Sequence, residues 1–333
     1  MAPLRILTNA GWFDGRRHQG QALLTERLSD GSPAGLLGDL AALRRADLAV
    51  FNVAPRQLLL AAAAKRSLLG ARPYLVSVDL ILRRPTGLRQ RVRLRGIRSL
   101  LRAVDLFIFY FKDTAELCRL YEIPAERVCY VPFKVNDLEA VRRTATGDEG
   151  YFLACGQSNR DYTTLCRAVE GLPHRTVILA PFGRAAQRHG TTFVPGSAGC
   201  PANVEPVCDD GSPASWLRWL AAARAVVLPI EPGMLSPSGI GTYLVAMALG
   251  KCVVITESAA TRELLDAQTA VIVPPADPEA LRGALLRVAE DDAFRRQIAA
   301  AGQRYALALG DEQRLAADIY REVLSRAIGA TRR

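Results

Sequence analysis

The sequence predicts an α/β protein of two doubly wound domains, each built on a parallel sheet. Three observations carry this. Short apolar or β-branched runs alternate with helix-length segments from one end of the chain to the other, and parallel strands require crossovers of that length. At 333 residues the chain is long enough for two cores of ordinary size. The polar segment 133–150, "FKVNDLEAVRRTATGDEG", ends in a Thr/Gly/Asp/Glu cluster and cuts the strand–helix series in two.

In the first half the expected strands are Arg5–Asn9, Leu48–Val53, Tyr74–Val78, Leu106–Phe111 and Val128–Pro132. In the second half they are Tyr151–Cys155, Thr176–Leu179, Val226–Leu228, Cys252–Ile255 and Ala270–Val273. The segment Tyr243–Leu249 reads as a buried helix closed by Gly250 at its C′ position. Asp277, Pro278 and Glu279 read as the N-cap, first residue and first turn of another helix. The domains are accordingly expected at 1–147 and 148–311, with an amphipathic helix over about 312–333 packing back on the first.

Half the residues are apolar, so the chain is expected to fold. It contains no run of about 18 uncharged apolar residues, and its start, "MAPLRILTNAGW", passes directly into a strand. These features lead us to expect a cytoplasmic protein. Seven scattered cysteines without a CxxC pair suit reduced thiols. Three dispersed histidines and the lack of an acidic cluster give no reason to expect a metal.

The charge is unevenly placed. Residues 1–150 hold 24 Lys+Arg against 15 Asp+Glu, and residues 151–333 hold 19 against 18. Arg83–Arg102, "RRPTGLRQRVRLRGIRSLLR", has eight arginines and no acid. Leu88, Val92, Leu101 and Val104 stand among them at near-helical spacing. The segment reads either as a solvated amphipathic helix or as a patch that meets anionic lipid headgroups. Nucleic acid is not expected, because aromatics are not interleaved with the arginines.

Two loops bear the motifs of the second half. In "SPSGIGTYLVAMALG", Ser236, Ser238, Gly239, Ile240, Gly241 and Thr242 lie at a helix start, where N–H groups lack intrahelical partners and the dipole is positive. Glycine lets a phosphate approach such a backbone, although a serine-capped tight turn has the same appearance. In "YFLACGQSNRDYTTLCRAV", Gly156, Gln157, Asn159 and Arg160 follow a strand, at the edge where open α/β sheets bind ligands. Arg160 there suits a diphosphate or, equally, an ion pair with Asp161.

Taken in order, these segments, "NVEPV", "ARAVVLPIEP", "SGIGTYLVAMALGKCVVITESAATRELL" and "TAVIVPPADPEALRGALLRVAEDD" resemble the C-terminal domain of GT-B glycosyltransferases of the family-four type. "DLFIFYFKDTAELCRLYEIPAERVCYVPFKVND" is similar to the segment that ends that family's N-terminal domain. The resemblance implies two Rossmann-like domains facing across a cleft. It implies a nucleotide-sugar donor, UDP-sugar foremost, held by the C-terminal domain, an acceptor on the N-terminal domain, and retention at the anomeric carbon; with no acidic cluster in the sequence, neither a metal nor another cofactor is expected.

Carried over, Arg160 falls where the family places a base on the donor phosphates, and Ser238 and Gly239 fall in the loop that approaches them. The glutamates that usually flank this loop would fall at Pro237 and Val245, and the usual basic residue after Gly156 is Gln157. Glu231 is the nearest carboxylate able to stand in, or is a solvated loop acid.

In the first half Asn9, Gly11, Trp12 and Asp79 follow strands and would meet the acceptor. Asp79 would serve as general base or orienting group, unless it only caps a turn. We therefore expect a glycosyltransferase, peripheral on the inner membrane face through Arg83–Arg102, with a lipid-linked or cell-envelope glycan precursor as acceptor. The alternatives are a GT-B-like nucleotide-sugar epimerase or hydrolase, and a binding subunit whose catalysis has decayed.

Overall fold

The computed structural model describes residues 3–13, 22–29, 33–70, 72–156, 158–179, 200–235 and 237–331. The chain divides into two compact units. One comprises Met1–Tyr110, Thr114–Pro132 and Leu315–Arg333, the other Phe111–Asp113 and Phe133–Arg314. The polar segment 133–150 thus lies in the second unit.

The first unit holds β1 (Leu4–Thr8), β2 (Leu23–Arg27), α1 (Pro33–Arg45), β3 (Leu48–Asn52), α2 (Pro55–Ala64), β4 (Tyr74–Val78), α3 (Leu88–Leu101), β5 (Leu106–Phe109), α4 (Ala115–Tyr121) and β6 (Val128–Tyr130). Its sheet runs β2-β1-β3-β4-β5-β6, with every pairing parallel. The chain progression reverses between β1 and β3. The central strands β3 and β5 are buried but for Asn52 at the end of β3, as sheets covered on both faces require. The edge strand β2, "LLTER", was not anticipated from the sequence. Its first residue is buried and the rest are half-buried or exposed, so it lacks the continuous apolar run that marks the others.

The second unit holds α5 (Leu138–Arg143), β7 (Phe152–Cys155), α6 (Tyr162–Val169), β8 (Thr176–Leu179), β9 (Val204–Val207), α7 (Pro213–Ala222), β10 (Ala225–Leu228), α8 (Ile240–Ala248), β11 (Cys252–Thr256), β12 (Val271–Val273), α9 (Pro278–Glu290) and α10 (Asp292–Leu309). A last helix, α11, spans Glu312–Thr331. The sheet is again all parallel, in the order β12-β11-β10-β7-β8-β9. This is a Rossmann-type order, and its progression reverses between β7 and β10. Pro206 lies in β9, an edge strand, where a missing N–H is tolerated. The core joins Phe152 and Ala154 of β7 and Val227 of β10 to Leu165 and Val169 of α6 and Leu281 and Leu285 of α9.

Helix starts follow the sequence. Asp277 accepts from the Ala280 N–H at 2.9 Å, with Pro278 at the first helical position. Ser212 caps α7 ahead of Pro213 in the same way. At the end of α8, Gly250 takes φ +71° and its N–H reaches the Met247 carbonyl at 2.8 Å. The start of α8 differs: Gly239 precedes it at φ +93° with no side-chain cap.

All seven cysteines are free, and Cys129, Cys155, Cys166 and Cys252 are buried. Among the described residues no group of His, Cys, Asp or Glu is placed to hold a metal ion. Among the same residues no helix is long and apolar enough to cross a membrane.

Candidate functional site

In the second unit a cavity of about 860 Å³ opens at the carboxyl edge of the sheet. It lies at the switch point between β7 and β10, where doubly wound sheets take ligands. Gly156, Ser158, Arg160, Gly239, Gly241 and Thr242 line it.

Arg160 is its centre. The residue is 3% exposed, and its guanidinium is fixed by the chain that carries it. Nε donates to the Cys155 carbonyl at 2.9 Å and Nη1 to the Ser158 carbonyl at 2.8 Å. Nη2 lies against two bare backbones. A Cβ built on Gly156 would stand 2.5 Å from it and one on Gly239 3.5 Å. Both glycines have positive φ, +107° and +93°, which disfavours a side chain at either, and at Gly156 the clash with Arg160 excludes one as well.

The ion-pair reading of Arg160 does not hold. Asp161 instead caps α6, accepting from the Thr164 N–H at 2.9 Å and the Thr164 hydroxyl at 2.6 Å. No carboxylate pairs with Arg160 among the described residues, and burial draws its pKa below the usual arginine value. A buried cation without a counter-charge is costly unless a ligand supplies the anion.

The loop is held to its neighbours by backbone. Arg160 and Ile230 form an antiparallel bridge, the Asp161 N–H reaches the Pro229 carbonyl, and the Glu231 N–H reaches the Asn159 carbonyl, each at 3.0 Å. Thr256 closes the arrangement from the end of β11, its Oγ1 accepting from the buried Ile230 N–H at 2.7 Å. Asn159, at φ +53°, donates from Nδ2 to Ser238 Oγ at 2.8 Å. Asn159 and Ser238 therefore tie the two loops together, and neither is among the lining residues.

The uncapped start of α8 completes this wall. The first intrahelical bond runs from the Tyr243 N–H to the Gly239 carbonyl, so the N–H groups of Ile240, Gly241 and Thr242 precede the helical ladder. Gly241 has a further neighbour: a Cβ there would come within 2.9 Å of Asn136 Nδ2. The Lys134 ammonium donates to Asn136 Oδ1 and pairs with Glu312. Lys134, Asn136 and Glu312 all line the cavity, and none was singled out in the sequence. The segment holding Lys134 and Asn136, "FKVND", read as linker because its polarity resembles one.

Across the cavity stand Asp209, Gly211, Ser212, Pro213 and Trp216, at the entry to α7. Asp209 Oδ1 accepts from the Gly211 N–H at 3.0 Å, while its Oδ2 is buried without a partner among the described residues.

The other expected donor residues divide. Gln157 and Ser236 lie outside the described residues. Ile240 is buried. Glu231 is half-buried and not among the lining residues. Its pKa is raised, first by burial and then by Asp161. Val245 is fully buried in α8, so a glutamate there would require a rebuilt core.

In the first unit the expected acceptor residues gather at the carboxyl edge of its sheet. Asp79 follows β4 at φ +51°, and its N–H bonds the Ile108 carbonyl at 2.9 Å. Burial pushes its carboxyl up to about 6. That charge in turn helps raise the neighbouring Tyr110 phenol, after burial. Asn9 and Asn52 meet where the progression reverses. Asn9 Nδ2 donates to the Asn52 carbonyl at 2.7 Å, and Oδ1 accepts from the Asn52 N–H at 2.8 Å. The amide thus clamps β1 to β3 with both its polar atoms. Gly11 opens a 3-10 turn over Gly11–Phe13. Trp12 stands edge-on to Tyr320, whose hydroxyl donates to the Trp12 carbonyl at 2.9 Å.

Known proteins share this fold. Residues 211–291 match the family described as "Glycosyl transferases group 1". Anabaena HepE, solved in complex with UDP, is 14% identical over 97% of this chain and 100% of its own, with a TM-score of 0.66. Sucrose-phosphate synthase from Thermosynechococcus elongatus is 16% identical over 97% and 89%, with a TM-score of 0.63. The α,α-trehalose 6-phosphate synthase from Burkholderia multivorans is 15% identical over 99% and 100%, with a TM-score of 0.64. No curated protein matches the chain. The chain has the GT-B fold of two Rossmann-like domains, and its second domain contains a segment that matches the glycosyl transferases group 1 family.

Proposed function

We propose that the protein transfers a sugar from a nucleoside-diphosphate sugar, UDP-sugar foremost, to an acceptor bound by the first domain. One observation carries the reading. The Arg160 guanidinium is buried, has no carboxylate partner among the described residues, and presents Nη2 between Gly156 and Gly239 at the uncapped start of α8. A diphosphate supplies the missing counter-charge and meets the N–H groups of α8.

On this reading Arg160 and the α8 N-terminus stabilise the charge that develops on the departing diphosphate, and no metal ion is needed for that. Positive charge fixed before the reaction needs no reorganisation during it. Asp79 accepts or orients the acceptor hydroxyl, since a carboxyl titrating near 6 is mostly ionised at neutral pH and still basic. The acceptor is a lipid-linked or cell-envelope glycan precursor, met at an anionic membrane through Arg83–Arg102. Retention at the anomeric carbon is the expected stereochemistry. The UDP held by HepE supports the donor class.

The test is a panel of nucleotide sugars, followed by thermal shift and by release of nucleoside diphosphate with and without a lipid extract. Release that depends on acceptor supports transfer. Release without acceptor supports a hydrolase in the same pocket, and acceptor-independent conversion of the nucleotide sugar without net release supports an epimerase. Binding without turnover supports a decayed subunit, the reading that Pro237 and buried Val245 favour.

A further inference from the structure

The helix α3 carries its apolar residues on two opposite sides. Leu94 and Leu101 face inward and are buried. At 100° per residue, Leu88 and Val92 lie on the other side, and they are 79% and 64% exposed. Leu88, Val92 and Leu101 therefore do not form the single stripe that their spacing suggested. An outward pole of leucine and valine is unusual for a helix solvated on that side.

The flanks of this pole are cationic. Three arginines of the segment are neutralised within the unit: Arg84 by Glu116 at 2.8 Å, and Arg98 and Arg102 by Glu122 at 3.1 and 2.7 Å. Arg89, Arg91, Arg93 and Arg95 are exposed and have no ion pair among the described residues. They follow Leu88 and bracket Val92 along the helix. Beside α3 runs a groove of about 480 Å³ walled by Leu59, Leu82, Pro85, Leu94 and Ile97. Ile81 at its edge is 49% exposed.

We infer that this face of α3 seats the protein on an anionic lipid bilayer, with Leu88 and Val92 among the acyl chains and Arg89, Arg91, Arg93 and Arg95 on the headgroup phosphates. Charge complementarity selects this occupant: Arg83–Arg102 contains no acid, and the unpaired cations surround apolar side chains rather than aromatic ones. An interfacial helix has this composition, apolar on the pole that enters the lipid and basic at its margins. The start of the helix is prepared for the load, since Gln90 Oε1 accepts from the Thr86 N–H at 2.8 Å and holds the first turn closed. The inference rests on the membrane contact within the proposed function and assigns its groups. It does not require sugar transfer.

The test is co-sedimentation of the full chain with vesicles of phosphatidylcholine alone and of phosphatidylcholine with phosphatidylglycerol, without nucleotide sugar. Binding is expected to the anionic vesicles and to weaken sharply at high salt. Arg91→Ala and Arg95→Ala should each lose about five-fold, the factor that about 1 kcal/mol per basic residue represents. Arg91→Lys and Arg95→Lys should retain binding. The double variant Leu88→Ser/Val92→Ser should lose more than either arginine variant. Val92→Trp should shift its emission to the blue on anionic vesicles only. Equal binding to both vesicle types would overturn the inference, as would full retention by the double variant. Because no donor is present, these outcomes are separate from failure of the transferase reading, which the nucleotide-release assay reports.

Discussion

The Arg160 guanidinium occupies the space in which Gly156 would carry a side chain: a Cβ there would stand 2.5 Å from Nη2 and 3.0 Å from Nε. The guanidinium cannot swing aside without breaking two hydrogen bonds to backbone carbonyls. Gly156→Ala therefore meets both a clash and a backbone at φ +107°, and strain of that kind costs about 1–3 kcal/mol. We expect a lower unfolding temperature and diphosphate binding weakened at least as much as by loss of Arg160. Calorimetry with UDP and with uridine checks this, since only the diphosphate should be affected.

Arg160 itself should separate stability from function. Replacing a buried cation that has no carboxylate partner among the described residues by an apolar chain of similar length removes a desolvation penalty, which offsets loss of the bonds to the Cys155 and Ser158 carbonyls, so Arg160→Met should change stability little. Loss of a charge-assisted contact worth about 1.5–3 kcal/mol should weaken the nucleoside diphosphate by roughly 10- to 100-fold. Thermal unfolding alongside titration with UDP tests both halves, and a large fall in stability would count against the assigned role.

Thr256 supports the same loop from behind. Thr256→Val keeps the shape but leaves the buried Ile230 N–H without its 2.7 Å acceptor, which should cost about 1–3 kcal/mol. Because Ile230 bridges Arg160, donor affinity should fall too, although Thr256 is not among the lining residues of the cavity. Denaturant titration and UDP binding measure the two effects.

Asp79 predicts a pH dependence. Its folded pKa, about 6, lies above the ordinary 3.8 because of burial. Between those values the folded state holds more protons than the unfolded one, so stability falls as pH rises through this window. The full loss, reached above pH 6, is on the order of 2–3 kcal/mol. Asp79→Asn should therefore gain stability over the parent as pH is raised from 4 to 7. If Asp79 accepts the acceptor proton, the parent's transfer rate should climb through the same window. Urea titrations and transfer rates across the range decide it.

Asn9 should matter structurally. Both polar ends of its amide are engaged by the Asn52 backbone, so Asn9→Ala should destabilise the first domain by about 1–2 kcal/mol, seen as a lowered unfolding midpoint. Restoration of stability by Asn9→Asp is not expected, since a carboxylate cannot donate to the Asn52 carbonyl.

The sequence by itself determined the architecture. Continuous apolar runs such as "FLAC", "AVVL" and "CVVIT" can be buried on both faces only in a parallel sheet covered by helices, and this is a local property of each run. Caps such as Asp277–Pro278 and the C′ glycine Gly250 are equally local, and both stand where the sequence places them. Even the choice of Arg160 and Gly239 rested on chain-local features, a strand end and a helix start. The edge strands β2 and β9 escaped because half-exposed strands carry a mixed pattern, and β9 contains a proline.

Only the tertiary structure decided which groups face one another. It placed Arg160 between two glycines 83 residues apart in the chain, turned Asp161 to its own helix, and brought Lys134 and Asn136 of an apparent linker to the start of α8. It also put Leu88 and Val92 outside and Leu94 and Leu101 inside on one helix. Periodicity records that a residue is apolar and where it falls on the helix circle, but not which side of that circle the rest of the fold covers.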